Sequence, residues 1–175
     1  MLMKPQVVDA AVAGGDDGWP TVTNELGPIA GHALGAAVVL IGPSGLVLFV
    51  HHNYGRKNWE IPGGNCEVGE SALEGALREV HEELGVDARI KRCVGVYWEP
   101  KWRPDRGMHH FVFLAELLAP LPSHPPDPRE IIEWGWFDLE RPPRPISDFT
   151  LRRGRDAVKE SQFNFATVTE RTWLE

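Results

Sequence analysis

The segment that most constrains this chain is residues 64–86, which read GNCEVGESALEGALREVHEELGV. It concentrates acidic side chains in and just before one short predicted helix, with an arginine among them: Glu70, Arg78, Glu79, Glu82 and Glu83. Carboxylates held this close repel one another unless a cation lies among them. Their spacing therefore indicates metal chemistry as well as negative charge.

The predicted helix begins at Ser71 and ends before Gly85. Ser71 followed three residues later by Glu74 is a capping box, and Gly85 is a suitable C-terminal cap because glycine adopts a left-handed conformation cheaply. Glu79 and Glu83 lie one helical turn apart, so both carboxylates can reach one ion. The opposite, buried face is predicted from apolar residues at helical spacing: Leu73, Ala76, Leu77, Val80 and Leu84.

The segment before the helix, residues 59–64 (WEIPGG), is predicted to be a tight loop. Gly63 and Gly64 permit backbone conformations closed to other residues, and they let a carbonyl oxygen approach a metal. Hard oxygen ligands of this kind suit Mg²⁺ or Mn²⁺, which keep several waters and bridge to phosphates. The alternative is a solvated acidic helix face, and the paired glycines argue against it.

These residues resemble the signature of the Nudix hydrolase family: G, five residues, E, seven residues, REU, one residue, EE, one residue and GU, with U aliphatic. The resemblance implies an α+β fold in which a mixed β-sheet is sandwiched between α-helices. It occupies only the 23-residue segment, but every fixed position is matched without a gap, by Gly64, Glu70, Arg78, Glu79, Val80, Glu82, Glu83, Gly85 and Val86.

The activity that this resemblance implies is attack of water at phosphorus on the diphosphate linkage of a small nucleotide or nucleoside diphosphate derivative. Mg²⁺ or Mn²⁺ is the implied cofactor, because a divalent ion neutralises the diphosphate and lowers the pKa of bound water. Glu79 and Glu83 would be the principal ligands, with Glu82 joining when more than one ion binds. A carbonyl of Gly63 or Gly64 would complete the set.

Two further roles follow from the same resemblance. Arg78 and Glu70 would form a pair that orients the helix. The general base is often a glutamate on a loop before a late strand, and three carboxylates lie in that region: Asp127, Glu130 and Glu133. Glu130 is favoured by its distance from the late strand, and Glu79 or Glu82 is the alternative.

Four residues outside the signature are predicted to contact the substrate. Arg56 and Lys57 precede the glycine loop, near the expected phosphates, although a solvated turn is an equally good reading. Trp102, in a polar loop predicted over residues 99–107, is the candidate for stacking on a base, and Arg103 for clamping phosphate. The sequence leaves the substrate open among ADP-ribose, nucleotide sugars, dinucleoside polyphosphates and nucleoside triphosphates.

The rest of the chain predicts strands and helices in mixed order. Two apolar runs, residues 33–41 and 46–52, flank a Gly-Pro-Ser-Gly turn and predict a β-hairpin. A final helix is predicted from Ser147 or Asp148 through about Ser161. Further strands are predicted over residues 88–98, 108–118 and 133–139.

Length and composition set limits on domains and partners. With 175 residues, 42% of them hydrophobic, one domain is expected over residues 31–175, after a loosely ordered N-terminal extension over residues 1–30. The sequence does not decide whether this extension assists a homodimer. A net charge of −7 argues against DNA binding and disfavours RNA. Isolated Cys66 and Cys93 and the lack of a long apolar run predict a cytoplasmic protein without a membrane partner.

Two other classes of function stay open on the sequence. One is a nucleotide-sensing or regulatory module that uses the same fold without turnover, although such modules usually lose motif carboxylates and this chain keeps them all. The other is a hydrolase of a non-nucleotide diphosphate.

Overall fold

The computed structural model describes residues 31–42, 44–104, 106–159 and 163–175. The predicted N-terminal extension, residues 1–30, lies outside the described residues. The described fold forms one unit over His32–Glu175. Its elements, in chain order, are β1 (Ala33–Leu40), β2 (Val47–His52), β3 (Trp59–Glu60), β4 (Gly63–Asn65), α1 (Ala72–Leu84), β5 (Ala88–Arg103), β6 (Arg106–Leu117), β7 (Ile131–Phe137), β8 (Ile146–Ser147), α2 (Asp148–Val158), β9 (Asn164–Thr167) and β10 (Trp173–Leu174).

The strands form two five-stranded sheets, with the orders β4-β1-β6-β5-β9 and β10-β8-β3-β2-β7. Both sheets are mixed, because β1 runs parallel to β6 and antiparallel to β4, and β3 runs parallel to β8 and antiparallel to β2. The predicted α+β fold with mixed sheets is confirmed. Within the described residues, no helix is long and apolar enough to cross a membrane.

The first sheet separates two hydrophobic cores. Val38 of β1 packs in a core with Val80 of α1, whereas the next residue, Val39, packs in a core with Phe149 of α2. Because neighbouring side chains of a strand point to opposite faces, α1 covers one face of the sheet and α2 covers the other. The predicted sandwich of sheet between helices is therefore present.

Both helices begin at the predicted caps. The Ser71 hydroxyl accepts a hydrogen bond from the backbone N–H of Glu74 (3.2 Å), and the Glu74 carboxylate accepts one from the N–H of Ser71 (2.9 Å). Gly85 closes α1 in the left-handed conformation, with φ of 70°. Ser147 caps α2, and this helix ends at Val158.

The predicted hairpin of residues 33–52 is wrong. β1 and β2 belong to different sheets and are joined only by an isolated antiparallel bridge between Ile41 and Val47. Residues 36–40 and 47–50 are all buried. A strand that is apolar on both faces fits the centre of any sheet, so its pattern does not identify its partner.

The loop predicted over residues 99–107 is also wrong, because most of it is strand. β5 continues to Arg103 and β6 begins at Arg106, with a shift of register between Glu99 and Arg103. A bulge of this kind lets a strand pass a proline such as Pro100 without losing the ladder on either side. Trp102 therefore lies on a strand. The loop predicted over residues 59–64 contains most of two short strands, β3 and β4.

Candidate active site

Arg78 lies at the centre of the acidic cluster on α1. Its Nε and Nη2 donate to the two carboxylate oxygens of Glu70, at 2.9 and 3.0 Å. Its Nη1 donates to Glu79 (3.0 Å) and Glu82 (2.7 Å), and Nη2 also donates to the carbonyl of Asn65 (2.9 Å). One guanidinium thus ties α1 to the end of β4 and is shared among three carboxylates.

Glu83 is the buried member of the cluster, with 2% of its surface exposed. It accepts a hydrogen bond from the N–H of Gly63 (3.1 Å), and its other oxygen lies 3.6 Å from Nε2 of His52. Burial raises the pKa of Glu83 to about 7, although His52 opposes this shift. Burial lowers the pKa of His52, but the Glu83 carboxylate outweighs it, and the net shift is upward.

The two glycines of β4 leave no room for a side chain beside their present neighbours. A Cβ on Gly64 would overlap the carboxylate of Glu79, and a Cβ on Gly63 would overlap the carbonyl oxygen of Ala36. Gly63 also has φ of 150°, a conformation that side chains disfavour. The two glycines let β4 lie directly against the carboxylates of α1.

A cavity of about 420 Å³ opens beside this cluster and is called the acidic cavity here. Its lining residues include Tyr54, Gly64, Arg78, Glu79, Glu82 and Glu130. Burial raises the pKa of Glu79, and the neighbouring guanidinium of Arg78 offsets part of this shift.

Of the three candidate bases, the structure brings only Glu130 to the acidic cavity. Asp127 forms an ion pair with Arg129 (2.7 Å), and its pKa is lowered to about 2 by that hydrogen-bonded partner. Glu133 is exposed and lies 3.3 Å from Nδ1 of His51. The backbone carbonyl of Glu130 accepts a hydrogen bond from the turn after β2, which fixes this segment at the cavity.

The chemistry of the donors fits a hard divalent ion, since Glu79, Glu82 and Glu83 offer oxygen only. Three carboxylates, those of Glu70, Glu79 and Glu82, share the single guanidinium of Arg78, so the cluster has excess negative charge. In the described part of the chain, no three acidic, histidine or cysteine side chains converge as they stand on one ion site. Arg78 lies between Glu79 and Glu82 instead.

A second cavity of about 360 Å³ adjoins the first and shares Tyr54, Gly63, Gly64 and Asn65 with it. It is called the aromatic cavity here. Its other lining residues include two tryptophans, three arginines and two histidines, namely Trp102, Trp173, Arg56, Arg153, Arg171, His52 and His110.

The four predicted substrate contacts fall into two groups. Arg56 and Trp102 line the aromatic cavity, whereas Lys57 and Arg103 are not among its lining residues. The guanidinium of Arg56 is already occupied, because it pairs with Glu175 (3.0 Å) and lies 4.6 Å from the ring centre of Trp173. Arg103 lies 4.4 Å from the ring centre of Trp102. Lys57 is exposed in the turn before β3.

The floor of the aromatic cavity contains ion pairs that sequence reasoning missed. Arg153 pairs with Glu60 (2.6 Å), and Thr150 donates to the same carboxylate (2.8 Å). Arg171 donates twice to Glu99, at 2.9 and 2.5 Å. These pairs join positions far apart in the chain. No local sequence pattern links these partners, so sequence reasoning had no signal for the pairs.

Glu99 is further held by His110, whose Nε2 lies 2.8 Å from the carboxylate. Burial alone would raise the pKa of Glu99, but the hydrogen bonds from His110 and Arg171 outweigh it and lower that pKa to about 2. Burial lowers the pKa of His110.

The domain is α+β, and its acidic helix, centred on Arg78, lies beside two glycines. These features are those of the phosphoanhydride hydrolases that the signature of residues 64–86 indicates. The model of the NUDIX domain matches residues 31–155. The chain therefore belongs to the Nudix hydrolase family.

Two curated relatives are named as enzymes that cleave phosphoanhydride bonds. A putative 8-oxo-dGTP diphosphatase of Bacillus subtilis (strain 168) is 39% identical over 75 residues, which cover 41% of this chain and 48% of the relative. This chain thus spans less than half of that protein. An RNA pyrophosphohydrolase of Erythrobacter litoralis (strain HTCC2594) is 30% identical over 147 residues, which cover 71% of this chain and 87% of the relative.

Solved structures share the fold at low sequence identity. An ADP-ribose pyrophosphatase from Streptococcus suis 89-1591 has a TM-score of 0.60 at 22% identity, covering 79% of this chain and all of that one (100%). A UDP-X diphosphatase has a TM-score of 0.66 at 21% identity, covering 81% of this chain and 70% of that one. At these identities the similarity shows the fold alone.

Proposed function

We propose that this chain is a Mg²⁺-dependent pyrophosphohydrolase, active also with Mn²⁺, that cleaves the diphosphate linkage of a small nucleotide or nucleoside diphosphate derivative in the cytoplasm. The observation that carries the proposal is the excess of carboxylates over guanidinium groups beside the acidic cavity. Such an excess attracts a divalent cation, and a cation in turn allows a polyanionic substrate to approach.

Glu79 and Glu83 would hold the ion, with Glu82 beside them. When bound, the ion neutralises charge on the diphosphate and lowers the pKa of bound water. It would compete with Arg78 for Glu79 and Glu82, both of which now accept hydrogen bonds from that guanidinium. Arg78 remains fixed by its two bonds to Glu70, which makes the pair a positioning element for α1.

The strand register supports Gly63 rather than Gly64 as the carbonyl ligand. Hydrogen-bonded and non-bonded pairs alternate along antiparallel strands. The hydrogen bond from the Val38 N–H to the carbonyl of Pro62 (2.8 Å) fixes the phase of this alternation, so Ala36 and Gly64 are a hydrogen-bonded pair and Ala37 and Gly63 are a non-bonded pair. This phase directs the Gly64 carbonyl toward β1. It directs the Gly63 carbonyl to the other side, where the Gly63 N–H already meets Glu83.

Glu130 is the proposed general base. It lines the same cavity as Glu79 and Glu82, and within the described residues its carboxylate forms no hydrogen bond or ion pair. The base would accept a proton from the attacking water as its oxygen bonds to phosphorus and the bond from phosphorus to the bridging oxygen breaks. The remaining contribution of the protein is positioning and charge stabilisation.

The experiment that tests this function is product release from a panel of substrates with Mg²⁺, with Mn²⁺ and with chelator. The panel contains ADP-ribose, nucleotide sugars, diadenosine polyphosphates, and ordinary and oxidised nucleoside triphosphates. Chelator-sensitive cleavage of one class is the expected result. No cleavage of any member, in a protein that binds the metal, would contradict hydrolysis of a nucleotide and favour a sensing module or a hydrolase of a non-nucleotide diphosphate.

A second candidate substrate is the 5′ end of RNA. The RNA pyrophosphohydrolase of Erythrobacter litoralis aligns with 71% of this chain and supports it, whereas the net charge of −7 opposes a broad RNA-binding surface. Short RNA with a 5′-triphosphate, assayed beside the free nucleoside triphosphate, separates the two. Preference for the RNA would replace the small nucleotide as substrate.

A further inference from the structure

The wall of the aromatic cavity is completed by residues that lie beyond the family match. That match ends at residue 155, whereas Arg171 and Trp173 line the cavity from the C-terminal tail, residues 171–175. The tail reaches the cavity because β10 pairs with β8, which places Trp173 opposite Ser147.

The tail is held at both ends. Arg171 donates twice to Glu99 on β5. Glu175 pairs with Arg56 (3.0 Å), and its backbone carbonyl accepts a hydrogen bond from Arg144 (2.5 Å). A side chain between two such anchors loses little conformational freedom when a ligand binds, so Trp173 forms a preorganised wall.

The charges around the aromatic cavity are balanced. Its three lining arginines each have a carboxylate partner: Arg153 with Glu60, Arg171 with Glu99, and Arg56 with Glu175. An anion binds poorly where every guanidinium is already neutralised, because it must displace a carboxylate. The cavity is therefore unsuited to a second phosphate and suited to an uncharged group.

The uncharged surfaces that the cavity offers are aromatic. Trp102 lines it, and Arg103, which covers one face of that indole at 4.4 Å, does not. The guanidinium of Arg56 likewise covers one face of the Trp173 ring at 4.6 Å, so among the described residues each of the two indoles has one face covered by a guanidinium. The volume of about 360 Å³ falls within the range of roughly 300–1,000 Å³ of small-ligand pockets.

We propose that the C-terminal tail is the specificity element of this hydrolase, in which Trp173, together with Trp102, selects a planar uncharged group, a nucleobase, on the substrate whose diphosphate lies in the acidic cavity. The inference rests on the proposed function and names the part of the substrate that this chain recognises. It assigns part of that recognition, through Trp173, to a residue outside the matched domain.

The test is binding of AMP, GMP and UMP, with ribose 5-phosphate as the base-free ligand, measured by calorimetry with saturating Mg²⁺ and without turnover. Trp173→Ala is expected to weaken at least one nucleotide by about 5- to 100-fold, the loss of one base–aromatic stack, and to leave ribose 5-phosphate unchanged. Trp173→Phe should restore most of the affinity, and Trp173→Leu, which keeps apolar bulk without a ring, should not. Trp136→Ala is the matched control, since Trp136 lines neither cavity.

Two results would overturn the inference. One is equal affinity of the wild-type protein for the nucleotides and ribose 5-phosphate. The other is a Trp173→Ala variant that binds the nucleotides normally, or that loses both kinds of ligand alike. Failure of the proposed function is distinguishable, because base-dependent binding with no turnover of the substrate panel would remove hydrolysis and keep the recognition. Thermal unfolding of each variant verifies the fold.

Discussion

Two buried glutamates, Glu83 on α1 and Glu99 on β5, have opposite electrostatic surroundings. Glu83 is 2% exposed, its nearest charged partner is a histidine at 3.6 Å, and burial raises its pKa to about 7. Glu99 is 9% exposed, but His110 and Arg171 both bind it and lower its pKa to about 2 against the effect of burial. Both carboxylates are buried, Glu83 more deeply, and the hydrogen-bonded partners of Glu99 outweigh the effect of its burial, whereas His52 does not outweigh that of Glu83.

This difference separates the roles of the two cavities. Carboxylates outnumber guanidinium groups beside the acidic cavity, and the missing positive charge is what a divalent ion would supply. Each arginine of the aromatic cavity has its own carboxylate, so nothing there requires an ion. We therefore expect metal and phosphate to bind where negative charge is in surplus, and a neutral group to bind where carboxylates and guanidinium groups are equal in number.

The largest effect is expected for Glu83→Gln. The near-isosteric change keeps the fold but removes the buried negative charge, so turnover with saturating Mg²⁺ should fall by about 100- to 1,000-fold. Steady-state product release measures it. Glu140→Gln, an exposed glutamate, is the control and should turn over normally. Full activity of Glu83→Gln would remove Glu83 from the metal site.

The next effect is expected for Glu130→Gln. Loss of the proposed base should lower kcat by about 100-fold while metal affinity changes little. Glu133→Gln is a matched control three residues away, because Glu133 is exposed and lies outside the acidic cavity. An unchanged rate in Glu130→Gln would return the base to the helix, at Glu82 or Glu79.

A smaller effect is expected for Gly64→Ala. The added methyl group would displace the Glu79 carboxylate, and misplacement of one ligand should reduce kcat/KM by roughly 10-fold. Raising the Mg²⁺ concentration should restore part of the rate. Gly31→Ala, where a Cβ meets nothing within 4 Å, serves as control. Normal kinetics in Gly64→Ala would contradict the claim that the present position of the Glu79 carboxylate is needed to bind the metal.

The smallest effect concerns stability in acid. The pKa of Glu99 is lower in the folded protein than its ordinary value of 4.5, so the pair stabilises the fold above pH 4.5 and loses this contribution as the pH falls toward about 2. Glu99→Gln should lower the free energy of unfolding at pH 7 by on the order of 1–2 kcal/mol. Urea unfolding at pH 7 and pH 2.5 measures the difference, which should shrink at the lower pH. A difference independent of pH would contradict the ion pair.

The part of the fold that the sequence predicts correctly is local. Ser71, Glu74 and Gly85 specify the ends of α1 through contacts within a few residues, and the structure has those contacts. The i, i+4 spacing likewise brings Arg78 to Glu82, whereas its pair with Glu70, which precedes the helix, was implied only by the resemblance to the Nudix signature. Such features depend on backbone geometry that any helix shares, so they are readable without the rest of the molecule.

The features that sequence reasoning missed depend on distant partners. The sequence did not predict that Arg56, a candidate phosphate contact, pairs with Glu175, 119 residues later in the chain. Arg171 reaches Glu99 across 72 residues. The residues at which β1 and β2 separate into two sheets are apolar on both faces, so periodicity contains no information on pairing. Assignment of the aromatic cavity therefore required the tertiary structure.

The most direct test of the central claim is a Mn²⁺ titration followed by electron paramagnetic resonance, with the wild-type protein, Glu83→Gln and Glu99→Gln. We predict saturable Mn²⁺ binding by the wild type, weakened by about 10-fold or more in Glu83→Gln and unchanged in Glu99→Gln, because carboxylates outnumber guanidinium groups beside the acidic cavity, whereas the carboxylate of Glu99 is paired with Arg171. Equal binding by all three proteins, or none by the wild type, would contradict the claim that the surplus of carboxylates on α1 is a cation site.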